Sequence, residues 1–424
     1  MNIKRLFFVF IVLIAGTACD VSAQDAKNKM LDVELLQPEK LMFYSSQTPE
    51  IQFVAKNTGN SLVSQQITLQ IDTDKKIRLY SLSQQVTVNA NDSVMFSFSF
   101  TLPNPGFYRC FLWLGGAVES RKFNIGYEPE AIVSLPDSQP DFDDFWQTTL
   151  GELAAVAPEY TLIALPEHSS GKRKMYRVTM KSFGNMEIAG YYCVPTAQGK
   201  HPVIVSYMGY GSKPWMPDAD GNPDHAEFVL SVRGQGLNES SNIYGDWITY
   251  GLQSKEAYYY RGAFMDLIRA IDFVASRKEV DVRNIFVEGG SQGGAFSLIA
   301  CALDNRIAAA APFIPFLSDY PDYFDIVDWP ANSIRKKQAE MEISDKQLYE
   351  TLSYFDVKNF ARRITCPIIM GVGLQDEVCP PHTNFAGYNL IRSSKEYHIF
   401  PLSGHDVGPE WWQYRSTFFK KYRK

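Results

Sequence analysis

Ile285-Phe286-Val287-Glu288-Gly289-Gly290-Ser291-Gln292-Gly293-Gly294-Ala295 is the stretch on which the fold of this 424-residue chain turns. Ile285 to Val287 is a short β-branched and aromatic run, the pattern of a strand buried on both faces. Ala295 to Leu303 is helix-forming. Between them, Gly289-Gly290-Ser291-Gln292-Gly293 fits G-x-S-x-G, a serine on a sharp strand-to-helix turn whose small neighbours let the backbone fold back without clash. Average Gly and Ser usage would produce this pattern by chance on the order of 0.1 times in such a chain. With a strand before it and a helix after it, the pattern argues for a nucleophile rather than a plain glycine-rich turn. The N–H that follows such a serine, here that of Gln292, aims at a developing oxyanion with the helix N-terminus behind it.

A nucleophilic serine needs a base, and the base an orienting acid, in the chain order serine, acid, histidine. Three of the six histidines lie downstream: His382, His398 and His405. His398 falls inside the strand-like run Tyr397 to Phe400, which suits packing, and His382 follows Pro380-Pro381, which suits a helix start. His405 lies in the loop Leu402-Ser403-Gly404-His405-Asp406 just after that strand, at the sheet edge where such sites gather, and is the preferred base. Asp376 follows the strand-like Ile368 to Gly371 and is the preferred acid, with Glu377 as the neighbour that could substitute.

Outward from this centre, Val203-Ile204-Val205, Phe228-Val229-Leu230 and Ile368-Ile369-Met370 are further buried strands. Ala263 to Ala275 carries Phe264, Leu267, Ile268, Ile271 and Val274 at helical spacing. Strands alternating with helices predict a doubly wound α/β domain over 127–424. Residues 318–360 break the alternation with a Tyr/Asp/Pro-rich stretch and a charged helical segment, read as a lid or cap insertion. Before residue 127 the period is two: Ile67, Leu69 and Ile71 alternate with Thr68 and Gln70, and Phe96, Phe98 and Phe100 with Ser97 and Ser99. Turn signals at Asn57–Asn60 and Pro103–Gly106 complete the pattern of an antiparallel, immunoglobulin-like all-β sandwich over 24–126. Tyr127-Glu128-Pro129-Glu130 reads as the linker.

Residues 1–23 read as a secretion signal: Lys4 and Arg5 precede an apolar run, Leu6 to Gly16, too short to span a membrane, and Val21-Ser22-Ala23 suits cleavage. A lipidated Cys19 is the rival reading. Either predicts export, to a periplasmic or extracellular location. Five further cysteines, Cys110, Cys193, Cys301, Cys366 and Cys379, are widely spaced, which argues against a disulfide framework or a zinc site and leaves room for one bridge. The net charge of −6, with no basic block, argues against a nucleic-acid partner. No P-loop, HExxH or dinucleotide fingerprint is present, so no cofactor and no metal is expected.

Five stretches carry a resemblance: Pro140-Asp141-Phe142-Asp143-Asp144-Phe145-Trp146, Arg233-Gly234-Gln235-Gly236, Tyr258-Tyr259-Tyr260-Arg261, Gly290-Ser291-Gln292-Gly293-Gly294 and Asp376-Glu377-Val378-Cys379-Pro380-Pro381. In this order the chain resembles, over roughly 136–420, the acetyl xylan esterase and cephalosporin C deacetylase family, a branch of the α/β-hydrolases. The resemblance implies deacetylation of small esters and acetylated sugars by Ser291, His405 and Asp376. It also implies an oxyanion hole from the backbone N–H groups of Gln292 and Tyr210. Met208 stands where relatives often carry His, and Asp406 where Glu is usual; both could reshape the pocket. Arg233 is expected to fix a loop under the site, and Trp411 and Trp412 to pack rather than form a sugar platform. The resemblance implies a small acyl pocket, with which the bulky Tyr207, Met208 and Tyr210 are consistent. Rival readings are a prolyl-peptidase-like or general carboxylesterase on the same fold, and a non-catalytic glycan-binding protein. The partner expected is an acetylated sugar or small ester, self-association is left open, and no membrane span is expected. Since no candidate residue precedes Gly126, the β-sandwich is expected to be separable from the chemistry, unless it covers an apolar face of the hydrolase, in which case truncation would cause aggregation.

Overall fold

A computed structural model describes residues 31–45, 47–115 and 118–424. The signal segment read at 1–23 and its Cys19 alternative lie outside them. The N-terminal region is all β: β1 (Asp32–Leu35), β2 (Met42–Phe43), β3 (Glu50–Asn57), β4 (Val63–Thr73), β5 (Arg78–Val88), β6 (Asp92–Ser99), β7 (Gly106–Leu114) and β8 (Val118–Tyr127). They form two sheets, β1-β3-β6 and β2-β8-β7-β4-β5, antiparallel except for the short β2–β8 pair. The period-two pattern explains them: Ile67, Leu69 and Ile71 are buried against Phe53, Cys110 and Leu112, while Thr68 and Gln70 turn outward.

The rest of the chain builds a nine-stranded sheet from β9 (Thr161–Ala164), β10 (Arg173–Lys181), β11 (Glu187–Pro195), β12 (His201–Tyr207), β13 (Ala226–Ser231), β14 (Val280–Gly290), β15 (Ile307–Phe313), β16 (Ile368–Gly373) and β17 (Lys395–Phe400). Its order is β17-β16-β15-β14-β12-β13-β11-β10-β9. Strands β12 to β17 are mutually parallel where they pair, as the apolar runs predict. The other edge differs from a purely parallel expectation: β9, β10 and β11 join antiparallel. Arg173–Lys181 alternates buried and solvent-facing residues, so it lacks the continuous apolar run that marks a strand covered on both sides. From β12 the chain passes to β13 on one side. The helix Tyr259–Ala275 then returns it across β12 to β14 on the other. The carboxyl ends of β12 and β14 flank this reversal, where a doubly wound sheet opens a crevice.

Between β15 and β16 the 318–360 segment forms helices Tyr320–Ile326, Ala331–Glu340, Asp345–Ser353 and Val357–Phe360. The Pro140–Trp146 motif braces it: helix Phe142–Ala154 packs Phe142, Phe145 and Trp146 on Tyr354, Phe355 and Phe360, and Trp146 Nε1 donates to the Tyr354 carbonyl at 3.1 Å. Cys110, Cys193, Cys301, Cys366 and Cys379 are all buried and free. No helix among the described residues is long and apolar enough to cross a membrane.

The β region does not stand apart. Met370, Val372 and Leu374 of β16, with Phe385 and Tyr388 of helix Pro381–Tyr388, are buried in the same apolar core as Phe43, Phe107 and Ile125, and the rings of Phe107 and Phe385 lie 5.8 Å apart. The β region thus covers an apolar face of the α/β domain, the circumstance in which truncation is expected to cause aggregation. His382 adds an ionic tie. Its Nδ1 meets Asp74 Oδ2 at 2.6 Å, in the turn after β4, and its Nε2 meets Asp322 Oδ2 at 3.0 Å, in the insertion. Burial works against the imidazolium, but hydrogen bonds and charge from the two carboxylates outweigh it and raise His382 to about 9. Because the folded-state value lies above the free one, this contribution is full below about pH 6.5 and is lost as pH rises through about 9. The wild-type chain should therefore lose about 3 kcal/mol of stability over that window relative to His382→Gln. Parallel melting-temperature profiles against pH for the two proteins would contradict it.

Candidate active site

Ser291 terminates β14 and precedes helix Gln292–Leu303, at φ 57° and ψ −121°. A non-glycine residue in this region is strained, and the strain lifts the side chain clear of the sheet edge. Glycine is required two positions either side. A Cβ on Gly289 would come within 2.6 Å of the Tyr207 carbonyl oxygen, and one on Gly293 within 2.1 Å of the same atom. The main chain of Ser291 is pinned by its N–H donating to Phe313 O at 3.1 Å and by its carbonyl accepting from Phe316 N at 3.0 Å.

His405 and Asp376 reach Ser291 from separate loops. His405 Nε2 lies 3.1 Å from Ser291 Oγ, and its Nδ1 lies 2.9 Å from Asp376 Oδ2. Asp376 is buried, and its Oδ1 also accepts from the main-chain N–H groups of Val378 and Cys379, each at 2.8 Å. The neighbour Glu377 is exposed and pairs with Lys122, so it does not address the histidine. The other two histidines are occupied elsewhere. His398 stacks on Tyr414 with ring centroids 3.9 Å apart, and His382 holds the ion cluster described above. Serine, imidazole and buried carboxylate in line can relay the serine proton and stabilise the imidazolium that forms.

Tyr210 follows β12 and borders Ser291 from the opposite side of the crevice. Among the described residues, neither the Tyr210 nor the Gln292 main-chain N–H has a hydrogen-bond partner, which leaves both available to an oxyanion. Their surroundings are fixed by side-chain amides. Gln292 Oε1 accepts from Gln235 Nε2 at 3.2 Å and from the Tyr260 hydroxyl at 3.1 Å, while Gln235 Oε1 accepts from the Gly211 N–H at 3.1 Å. Arg233 is buried and pairs with Asp266 through Nε at 2.9 Å and Nη2 at 2.7 Å, so it holds this loop rather than facing a ligand.

Two cavities meet at Ser291. One, of about 20 Å³, is apolar and lined by Tyr210, Ile248, Phe316, Trp329, Pro330 and Val378. Of the three bulky residues proposed from the sequence to bound a small pocket, only Tyr210 does so here. Met208 is buried, with its sulfur accepting from Ser231 Oγ at 3.3 Å, and Tyr207 lies beneath the other cavity. That second cavity, about 520 Å³, mixes apolar and polar walls and presents Trp215, Trp412, Glu288, Arg415, Asp218 and Glu227. Arg415 Nη1 donates to Glu288 Oε2 at 2.7 Å. The tryptophan pair divides: Trp411 is core, whereas Trp412 is exposed beside the cavity. Trp215, Glu288 and Arg415 were not legible as site residues, because they are far apart in sequence and carry no motif. Among the described residues, two groups could offer metal ligands: Asp376, Cys379 and His405, and Asp319, Asp322 and His382. In both, the histidine nitrogens are engaged by the hydrogen bonds already given, which a cation would have to break.

Residues 132–423 match the family described as acetyl xylan esterase (AXE1). The chain is 29% identical over 319 residues to acetyl esterase Axe7A of Xylanibacter ruminicola, covering 72% of each protein. Among solved structures it is similar to the acetyl xylan esterase of Paenibacillus sp. R4, with 30% identity, a TM-score of 0.66, and coverage of 70% of this chain and 99% of that one. Acetyl xylan esterase 1 of Thermoanaerobacterium sp. is similar at 28% identity and the same TM-score, covering 70% and 98%. The sheet order, the strained serine turn and these likenesses give one fold, that of the α/β-hydrolases, and the chain belongs to the acetyl xylan esterase family of carboxylic ester hydrolases.

Proposed function

We propose that the protein removes acetyl groups from carbohydrate by a Ser291–His405–Asp376 acyl-enzyme mechanism. Ser291 Oγ attacks the acetyl carbonyl carbon while its proton passes to His405 Nε2. Asp376 stabilises the imidazolium, and the N–H groups of Tyr210 and Gln292 receive the oxyanion. Collapse expels the sugar oxygen, which takes the proton from His405. Water then attacks the acetyl-serine, gives a proton to His405 and releases acetate as Ser291 is restored.

The paired cavities at Ser291 carry this reading. The apolar one has room for about one water-sized group, enough for the methyl of an acetyl group. The larger one, which combines two tryptophans with an Arg–carboxylate pair, suits a sugar alcohol on the leaving side. In a roomy apolar slot each added methylene would strengthen binding by about 0.8 kcal/mol; here it meets Trp329, Ile248 and Phe316 instead. The expected result is a kcat/KM for p-nitrophenyl esters that falls at least roughly tenfold from acetyl to butyryl, with acetate released from acetylated glycans. Rates that hold or rise with chain length would remove the deacetylase reading while leaving a serine esterase. Two further readings go with this proposal: the two packed sheets before Tyr127 support an immunoglobulin-like sandwich, and the charged-then-apolar opening of the sequence supports export, with the Cys19 anchor as its variant.

A further inference from the structure

We propose that the N-terminal β region is a working part of the active site, and that Gln375 is the positioning residue through which it acts. The inference rests on the proposed triad. Gln375 precedes Asp376, and its side chain behaves as an extra rung on β8. Its Oε1 accepts from the Asn124 N–H at 2.6 Å, and its Nε2 donates back to the Asn124 carbonyl at 3.2 Å. Asn124 Nδ2 in turn donates to the Leu374 carbonyl at 3.0 Å. Among the described residues, this edge of β8 is otherwise paired only at Gly126 and Tyr127, by β2, so the acid loop occupies main-chain groups that a sheet edge would leave open.

The same side chain reaches the histidine loop. Gln375 Nε2 also donates to the Pro401 carbonyl at 2.8 Å, and the Gln375 main-chain N–H donates to the Ser403 carbonyl at 2.8 Å, two residues before His405. On the other side of Asp376, Glu377 pairs with Lys122 of β8. Leu374, Gln375 and Glu377 are thus all fastened to one strand, while Asp376 between them turns inward to His405. One amide therefore fixes the acid loop and the base loop against a common support. That support lies outside the region matched by the acetyl xylan esterase family, which begins at residue 132. Misplacement of the carboxylate by about 1 Å costs on the order of a hundredfold in rate, so loosening this frame should appear in turnover before it appears in binding.

The test uses the full chain, comparing wild type with Gln375→Leu, Asn124→Ala and the double variant on p-nitrophenyl acetate, across the pH range in which histidine titrates. Gln375→Leu removes the three side-chain bonds at similar volume. It is expected to lower kcat by roughly ten- to a hundredfold with KM within about twofold. It should also move the acid limb of kcat/KM to lower pH, because a loosened carboxylate supports the imidazolium less well. Asn124→Ala, which deletes only the bond to Leu374, should shift both readouts in the same direction by less, and the double variant should fall short of the product of the two. If Gln375→Leu fails to fold, the direction of the Asn124→Ala shifts decides the question. Wild-type kcat per folded molecule together with an unmoved acid limb would overturn the proposal. Ser291→Ala and His405→Ala run alongside keep the readings apart: activity surviving in those would sink the triad itself, whereas their inactivity with wild-type behaviour at Gln375 sinks the positioning role alone.

Discussion

Ser291→Ala is expected to lower kcat for acetyl ester hydrolysis by roughly four to six orders of magnitude, and His405→Ala by nearly as much. In the proposed mechanism the two act as one unit: the hydroxyl is a weak nucleophile without a base 3.1 Å away, and the base has no proton to take without the hydroxyl. Combining the two changes should add little to either alone. Asp376→Ala should cost less, because the carboxylate orients and stabilises the imidazole without forming a bond to substrate. His398→Ala should remain active, since its ring is spent on stacking with Tyr414. Steady-state rates on p-nitrophenyl acetate check all five. A His398→Ala enzyme that is dead beside a working His405→Ala would reassign the base.

Removal of the β region should destroy the fold rather than spare the chemistry. A chain beginning at Tyr127 would expose Met370, Val372, Leu374, Phe385 and Tyr388, which are now buried against it, and would leave His382 without Asp74. At about 1.5–3 kcal/mol for each apolar side chain returned to water, the loss approaches roughly 10 kcal/mol, as large as the whole stability of a typical domain. The expected outcome is aggregation or loss of the cooperative melt, read by size-exclusion chromatography and thermal unfolding. A soluble, monodisperse truncation with wild-type turnover would show that this face tolerates water.

The centre of the candidate site is legible in the sequence because it is local. The turn at Ser291 needs glycine at Gly289 and Gly293 for reasons of backbone clearance, and that need is written in five consecutive residues. Asp376 and His405 were legible for a similar reason, each standing just beyond a strand. The antiparallel edge β9–β11 was less visible, since alternating residues such as those of Arg173–Lys181 carry no sign of which sheet they will join. Trp215, Glu288 and Arg415 converge only after folding, as do the walls of the small cavity, where Trp329 and Pro330 arrive from the insertion. The apolar seam between the β region and β16 was hidden for another reason. Met370, Val372 and Leu374 read as core whichever partner buries them, and nothing in their spacing names that partner.

Ser291 is held at φ 57°, a conformation that costs an L side chain on the order of 1–3 kcal/mol. Glycine would occupy the same turn without that penalty, yet glycine has no hydroxyl to offer an ester. Thermal robustness and turnover therefore make opposite demands on a single position. A search for hardier variants that scored only survival on heating would be drawn toward replacing the proposed nucleophile, so any such selection on this enzyme has to score acetate release in the same step.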